Sequence, residues 1–326
     1  MIKVHISYPP DGEALAELQR QLDAEIGIST GETILSPAEI QILVAGRPTA
    51  EQLQASPDLH TLIIPFVGIP AETRELLMEY PDIAVHNLHH NTSATAESAL
   101  ALLLAAAKLT IPMDRSLRSN DWQPRYRPNP AVLLEGKTLL ILGYGQIGQY
   151  AARICRAMGM HIMATKKHLE GGQGADEIAE IHPPEALHDL LPKAEVVLIT
   201  LPLTEETGGL IGERELEVLP PKAILVNVGR GAIVDQEALF KALKDGTLHA
   251  AGLDVWYNYP ADEAGRADTS PADFPFRELE NVVMSPHRGG GSNETEFSRM
   301  RHLGRLLNAA ARGEEMPNQV DIRAGY

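Results

Sequence analysis

Residues 138–158 read TLLILGYGQIGQYAARICRAM, and no other stretch of the chain limits the fold so closely. Thr138–Leu142 is a short apolar run with the length of a buried strand, and Gln146–Met158 reads as a helix. Between them lie Gly143, Gly145 and Gly148. A strand that turns through Gly-x-Gly-x-x-Gly into a helix is the context of a dinucleotide fingerprint. Gly143 permits the tight turn, Gly145 lets backbone approach a pyrophosphate, and Gly148 lets the helix lie close to the strand. Gln146 and Ile147 open the helix, whose unpaired N–H groups and positive dipole end suit an anion.

The same rhythm extends in both directions. Upstream, Ile2–Ser7, Ile40–Val44, Leu62–Pro65 and Ile83–His86 read as strands and Gly12–Asp23 as a helix. Downstream, His161–Thr165, Val196–Thr200, Ala223–Val228, Ala250–Val255 and Val282–Ser285 read as strands. Pro184–Leu191, Gln236–Asp245 and Glu294–Arg312 read as helices, and the segment from Asp262 to Phe276 as a surface loop. Strands alternating with helices predict an α/β protein with doubly wound parallel sheets. Thr95–Leu109 is the most strongly apolar helical pattern, and the Pro- and Asn-rich segment after it suggests a domain boundary between residues 100 and 135.

Composition narrows the function classes. At 326 residues the length suggests two domains. Lys and Arg number 28 against 44 Asp and Glu, a net charge of −16. So acidic a surface repels nucleic acid and anionic membrane, and draws in an anionic ligand only through a local positive site. The apolar run Ala99–Ala107 is shorter than the about 20 residues a bilayer requires. Cys155 is the single cysteine, so no intrachain disulfide can form, which fits a cytoplasmic setting. MIKVHISYPP lacks the pattern of a signal peptide.

The strand after the glycine turn ends in Thr165, Lys166 and Lys167. An NAD-selective site carries Asp or Glu there, to bind the ribose 2′-hydroxyl. Two ammonium groups suit a 2′-phosphate instead, so NADP is favoured and NAD remains possible. Further on, VNVGRGAIVD and NVVMSPHRGGG place Arg230 and His287 beyond apolar strands. Arg can clamp a carboxylate in two parallel hydrogen bonds, and His can exchange a proton near neutral pH. No set of residues suggests a metal site; the pair His89 and His90 lacks a third ligand.

LEGKTLLILGYGQIG, LPLTEETGGLI, VNVGRGAIVD, AGLDVW and SPHRGGG, in this order, make the chain resemble the D-isomer-specific 2-hydroxyacid dehydrogenases over nearly its whole length. The resemblance implies a Rossmann cofactor domain at 99–290 and a flavodoxin-like substrate domain built from 1–98 and 291–326. It implies cofactor contacts at Leu201, Pro202, Thr207, Val228, Gly229, Arg230, Asp254, His287 and Gly289. It further implies that Arg230 binds the carboxylate of a small 2-oxo acid and that His287 is the acid/base. The backbone of Val67, Gly68 and Ile69 would help hold that carboxylate, and Asp254 would lie near the nicotinamide carboxamide. A homodimer is implied, with Thr95–Arg118 and the residues of the 120s in contact.

One departure from the family pattern bears on mechanism. The family sets Glu before the Pro that follows DVF, as partner to the histidine, whereas DVWYNYP carries Tyr259 at that position. A carboxylate favours the imidazolium and a neutral phenol much less. If Tyr259 points away, Glu294 or Glu296 is the alternative partner. Formate dehydrogenases also have a neutral residue there, and HHNTSATAE resembles their substrate loop at Asn91, which suggests a substrate contact. Formate-type chemistry, or a dinucleotide-sensing role like that of corepressors with this fold, are the alternatives to 2-oxo acid reduction. His89 and His90 either face the substrate or cap the helix that begins near Thr92.

Overall fold

A computed structural model describes residues 1–34, 37–167 and 174–323. The chain divides into two compact units, Met1–Asn91 with Gly291–Tyr326, and Thr92–Gly290. The anticipated break between 98 and 99 falls inside a continuous helix, Thr92–Lys108; the division lies at the start of that helix.

The first unit holds five parallel strands, β1 (Ile2–Ile6), β2 (Ile26–Thr30), β3 (Ile42–Val44), β4 (Thr61–Ile64) and β5 (Ala84–Asn87). Their order is β2-β1-β3-β4-β5, the flavodoxin-like order. Alternate residues point to opposite faces, and both faces are buried. Val4, Ile6, Ile42 and Val44 meet Leu303 and Leu307 of the C-terminal helix Thr295–Ala311 and Leu18 of α1 (Gly12–Gln21). Leu43, Leu62 and Ile64 form the other core. The connections include α2 (Ala50–Gln54) and α3 (Ala71–Leu77). The strand β2 escapes sequence reading because it is an edge strand, half-buried to exposed along its length, with no apolar run to mark it.

The second unit opens with α4 (Thr92–Lys108) and α5 (Thr110–Arg118). Leu109, left-handed at φ 50°, breaks the one from the other. The sequence reading names no helix over residues 110–118, yet α5 is helical: Pro112 sits in its first turn, where a missing N–H costs nothing. The helix α5 buries none of its residues, so it leaves no amphipathic signature.

An eight-stranded sheet follows, made of β6 (Thr138–Leu142), β7 (His161–Thr165), β8 (Gly174–Ala175), β9 (Glu180–His182), β10 (Val196–Ile199), β11 (Ile224–Asn227), β12 (Ala250–Leu253) and β13 (Val282–Met284). Its order is β13-β12-β11-β10-β6-β7-β9-β8, parallel except for β8. Leu139, Ile141, Val196 and Leu198 pack on one face, Leu140, Leu142, Val197 and Ile199 on the other. Two buried faces explain why these strands read as continuous apolar runs. Its helices include α6 (Gln146–Ala157), α7 (Leu187–Leu190), α8 (Glu213–Glu217) and α9 (Gln236–Asp245). The expected helix Pro184–Leu191 is in fact a 3₁₀ turn, one turn of α-helix and a second 3₁₀ turn, and Pro192, which has no N–H, cannot continue the α-helix. No single helix among the described residues is long and apolar enough to cross a membrane.

Candidate active site

In a doubly wound sheet ligands bind beyond the carboxyl ends of the strands, where the strand order reverses. Here that reversal lies between β6 and β10. The loops after these two strands touch: a Cβ on Gly143 (φ 102°) would meet Leu201 and Thr200 at 3.1 Å. Thr200 Oγ1 donates to the Gly143 carbonyl at 2.7 Å, and Thr207 Oγ1 donates to the Pro202 carbonyl at 2.7 Å.

Gly148 has a different necessity. A Cβ there would stand 2.4 Å from the Gly143 carbonyl, so only glycine lets α6 start so near β6. Around Gly145, by contrast, the space where a Cβ would stand is open. Open space beside the backbone at the start of a twelve-residue helix, with its N–H groups unspent, is what a pyrophosphate needs. The residues present therefore fit a nicotinamide dinucleotide. Gln146 and Ile147 form the first turn, and Thr165 is buried at the end of β7, its carbonyl accepting from Tyr144 N–H.

Lys166 is exposed, and no carboxylate among the described residues lies within ion-pairing reach of it. Lys167 is different: its Nζ is 2.6 Å from Glu206 Oε2, so its charge is already shared. The two lysines are not an equivalent pair.

After β11 the chain turns through Val228 and Gly229 to Arg230. Asn227, buried, builds that turn: its Oδ1 accepts from Gly229 N–H at 3.0 Å and its Nδ2 donates to the Arg230 carbonyl at 2.9 Å. The Arg230 guanidinium donates to the Gly229 carbonyl at 2.7 Å. Sequence reasoning missed Asn227; an Asn at a strand end two residues before Gly229 is its only signal.

After β12 comes Asp254, 2% exposed. Its Oδ1 accepts from Ser285 Oγ at 2.5 Å and Arg288 N–H at 2.9 Å, and its Oδ2 from Gly289 N–H at 2.8 Å. The carboxylate thus gathers the whole loop that follows β13. Gly289 must be glycine, because a Cβ would lie 2.6 Å from Asp254 Oδ2. Trp256 Nε1 donates to the Ser285 carbonyl at 2.8 Å. So held, His287 adopts φ 56°, a left-handed conformation uncommon for residues other than glycine. The surrounding bonds over-determine it.

His287 Nδ1 is 2.9 Å from the Tyr259 hydroxyl. Tyr259 also accepts from Trp256 N–H at 3.1 Å, which leaves its own proton free to point at Nδ1. When the ring is neutral, Tyr259 donates to Nδ1 and the proton sits on Nε2; when the ring is charged, Nδ1–H donates to the phenol oxygen. Glu296, the alternative partner, pairs with Arg299. Part of the His287 ring reaches solvent, but protein crowds the rest. That burial holds its pKa below the ordinary histidine value, the Arg230 guanidinium lowers it further, and Asp254 pulls the other way.

In the first unit, Val67 and Gly68 follow β4, and His89, His90 and Asn91 follow β5. Asn87 Nδ2 donates to the Val67 carbonyl at 2.7 Å, and His89 Nε2 lies 2.9 Å from Asn87 Oδ1. The proton is therefore on His89 Nε2, and His89 braces the Val67 loop through Asn87. Within the second unit, the sites expected at the cofactor and at Arg230, His287 and Tyr259 are gathered along one edge of one sheet. No group of metal-ligating side chains occurs among the described residues.

A Rossmann-type sheet whose strand ends carry a glycine turn, an arginine and a phenol-braced histidine defines a nicotinamide-dependent dehydrogenase. Residues 100–289 match the family "D-isomer specific 2-hydroxyacid dehydrogenase, NAD binding domain". A glyoxylate reductase of Aeropyrum pernix is 34% identical over 95% of this chain and 92% of its own length. A glyoxylate/hydroxypyruvate reductase B of Erwinia tasmaniensis is 34% identical over 91% and 89%. Among solved structures, a D-isomer-specific 2-hydroxyacid dehydrogenase from Xanthobacter autotrophicus Py2, in complex with NADPH and MES, is similar with a TM-score of 0.80 and 25% identity over 100% of this chain and 99% of that one. The chain belongs to the D-isomer-specific 2-hydroxyacid dehydrogenase family and is an NAD(P)-dependent oxidoreductase acting on CH–OH groups.

Proposed function

We propose that the protein reduces a small 2-oxo acid to the D-2-hydroxy acid, with NADPH preferred over NADH. The observation that carries this reading is the held loop at His287, a histidine in a left-handed conformation with Tyr259 on one nitrogen and the other free for substrate. The relatives named glyoxylate reductase and glyoxylate/hydroxypyruvate reductase support the substrate class. With its pyrophosphate held at the glycine turn, the reduced cofactor would supply the hydride.

Arg230 pairs with the substrate carboxylate and orients the carbonyl. His287 in its charged form donates the Nε2 proton to the carbonyl oxygen as negative charge develops there. Tyr259 accepts from Nδ1–H in that state and fixes the ring's direction. In the first unit, the backbone of Val67 and Gly68, braced by Asn87 and His89, and the side chain of Asn91 are the candidates for substrate contact. Lys166 attracts the 2′-phosphate of NADPH.

We also infer a homodimer. Ile111, Met113, Leu117, Trp122 and Tyr126, all exposed, lie on α5 and the turn after it, and a second copy would cover them. The test of function is turnover of NADPH with glyoxylate and hydroxypyruvate, with Arg230→Ala as control. The variant should lose most activity and keep NADPH affinity. Equal loss of both would remove Arg230 from its substrate role, and binding without turnover of any 2-oxo acid would favour a sensing role.

A further inference from the structure

Lys167 follows β7 and Glu206 lies in the loop after β10, yet their side chains pair, Nζ to Oε2 at 2.6 Å. The two strands are not neighbours. The order is β10-β6-β7, so β6 and its glycine turn lie between them. Strands in a sheet stand about 4.8 Å apart, so β7 and β10 are roughly 10 Å apart, and the pair links loops on the two sides of the glycine turn. Both ends stand on held backbone. Lys166 N–H donates to the His182 carbonyl at 3.0 Å, which fixes the exit of β7 against β9. In the other loop Thr207 Oγ1 accepts from Thr204 N–H at 2.8 Å and donates to the Pro202 carbonyl at 2.7 Å. Gly208 N–H donates to the Thr204 carbonyl at 3.0 Å. The turn so closed leaves Glu205 and Glu206 exposed.

The pair stands where a ribose is read. In this kind of fold the strand that follows the glycine turn and its helix ends at the 2′ position of the adenosine ribose. NADPH brings a phosphate there, with a charge of about −1.5 to −2 at pH 7, whereas NADH brings a hydroxyl. The Lys167 and Glu206 side chains are 46% and 69% exposed, so water screens their attraction and the pair contributes little to the fold. A screened pair of single charges gives way to an anion of higher charge. A 2′-phosphate that takes the Lys167 ammonium displaces the Glu206 carboxylate, or shares the cation beside a second negative group. Either way Glu206 subtracts from the affinity for NADPH. It subtracts nothing comparable from NADH, which has no anion at that position. Glu205, adjacent and equally charged, pairs with no cation among the described residues.

We propose that Glu206 is a specificity-determining residue of the cofactor site: by pairing with Lys167 it competes with the 2′-phosphate and holds down the preference for NADPH over NADH. The proposal rests on the cofactor reading above, in which the end of β7 meets the 2′ position. It separates the two lysines by role. Lys166 attracts the phosphate outright, and Lys167 does so only as far as Glu206 releases it.

The test measures dissociation constants of NADPH and NADH by fluorescence titration at low salt. The wild-type ratio of the two reports on the NADPH preference alone. The change in that ratio on substitution reports on Glu206, whichever cofactor the wild type prefers. Glu206→Gln should tighten NADPH about fivefold, the upper end for an exposed pair, and leave NADH within about twofold. In a Lys167→Gln background the same change should gain nothing, because Glu206 acts through Lys167. Glu205→Gln removes an equal charge one residue away and should move the ratio by less than about twofold. A ratio unmoved by Glu206→Gln, a gain that persists undiminished without Lys167, or an equal gain from Glu205→Gln overturns the proposal. A wild type that favours NADH overturns the NADPH preference, while the change on Glu206→Gln still decides the role of Glu206.

Discussion

The two units brace the loops at their strand ends with different side chains. In the second, both oxygens of Asp254 are engaged, by one hydroxyl and two backbone N–H groups, and the loop so gathered carries His287 in a conformation it would not choose alone. In the first, the Asn87 amide braces a loop instead: its Nδ2 donates to the Val67 carbonyl and its Oδ1 accepts from His89 Nε2. A carboxylate gathers several donors at once, whereas an amide joins one donor to one acceptor, so the loop that carries His287 is the more firmly held.

The sharpest break of this division is at the reacting group. His287→Gln removes the proposed proton donor while the Asp254 bonds to Ser285, Arg288 and Gly289 remain. The expected loss in kcat for reduction is about 10²- to 10⁴-fold. Thermal unfolding should stay near wild type, since the His287 side chain contacts solvent. A loss of less than tenfold would show that another group supplies the proton.

Asp254→Asn attacks the rigid arrangement instead. The amide turns one acceptor into a donor, which then faces either Gly289 N–H or the Ser285 and Arg288 donors. A buried donor left unmatched costs about 1–3 kcal/mol, read as a lower midpoint in urea unfolding. Activity should fall as well, because the same bonds hold His287 in place. An unchanged midpoint would mean that Trp256 and the sheet alone hold the loop.

This contrast between units was only half legible in the sequence. The doubly wound sheet was, because strands buried on both faces read as apolar runs. The edge strand Ile26–Thr30 and the solvent-facing helix Thr110–Arg118 were not, since neither buries a stripe that patterning can register. Gly143, Arg230, His287 and Tyr259 could be read because they sit in motifs fixed by chemistry. Asn227 and Ser285 could not, because their roles exist only once a turn has brought backbone groups to them. Tyr8 and Arg299 stand at opposite ends of the chain and belong to no motif, so only the folded first unit reveals them as neighbours.

A smaller effect separates the two lysines beyond β7. Lys167 is already paired with Glu206, whereas Lys166 is not held by any described carboxylate. Lys166→Asp should therefore weaken NADPH by roughly 1–2 kcal/mol, as a charge-assisted contact is replaced by repulsion. Lys167→Asp should weaken it less. Fluorescence titration with NADPH and NADH checks both, and a wild type that favours NADH tenfold would sink the cofactor preference.

The smallest expected effect is a displacement of a pH profile, and it concerns the neutral partner of the His287 ring. In the proposed mechanism only the doubly protonated His287 ring donates a proton to the carbonyl, so reduction should decline as pH rises through its pKa. That pKa already lies below the ordinary value, chiefly through burial and then through Arg230. Tyr259 stands 2.9 Å from Nδ1 and brings no charge to oppose them. Tyr259→Glu would place a carboxylate on the Nδ1 side, favour the imidazolium and raise the pKa. The midpoint of kcat/KM for reduction should then move to higher pH by on the order of one unit. Tyr259→Phe removes the bond without adding charge, so it should loosen the ring and lower kcat with a far smaller displacement. If Tyr259→Glu leaves the midpoint where it was, the phenol does not govern the protonation of His287, and the charge balance around that ring rests on Arg230 and Asp254 alone.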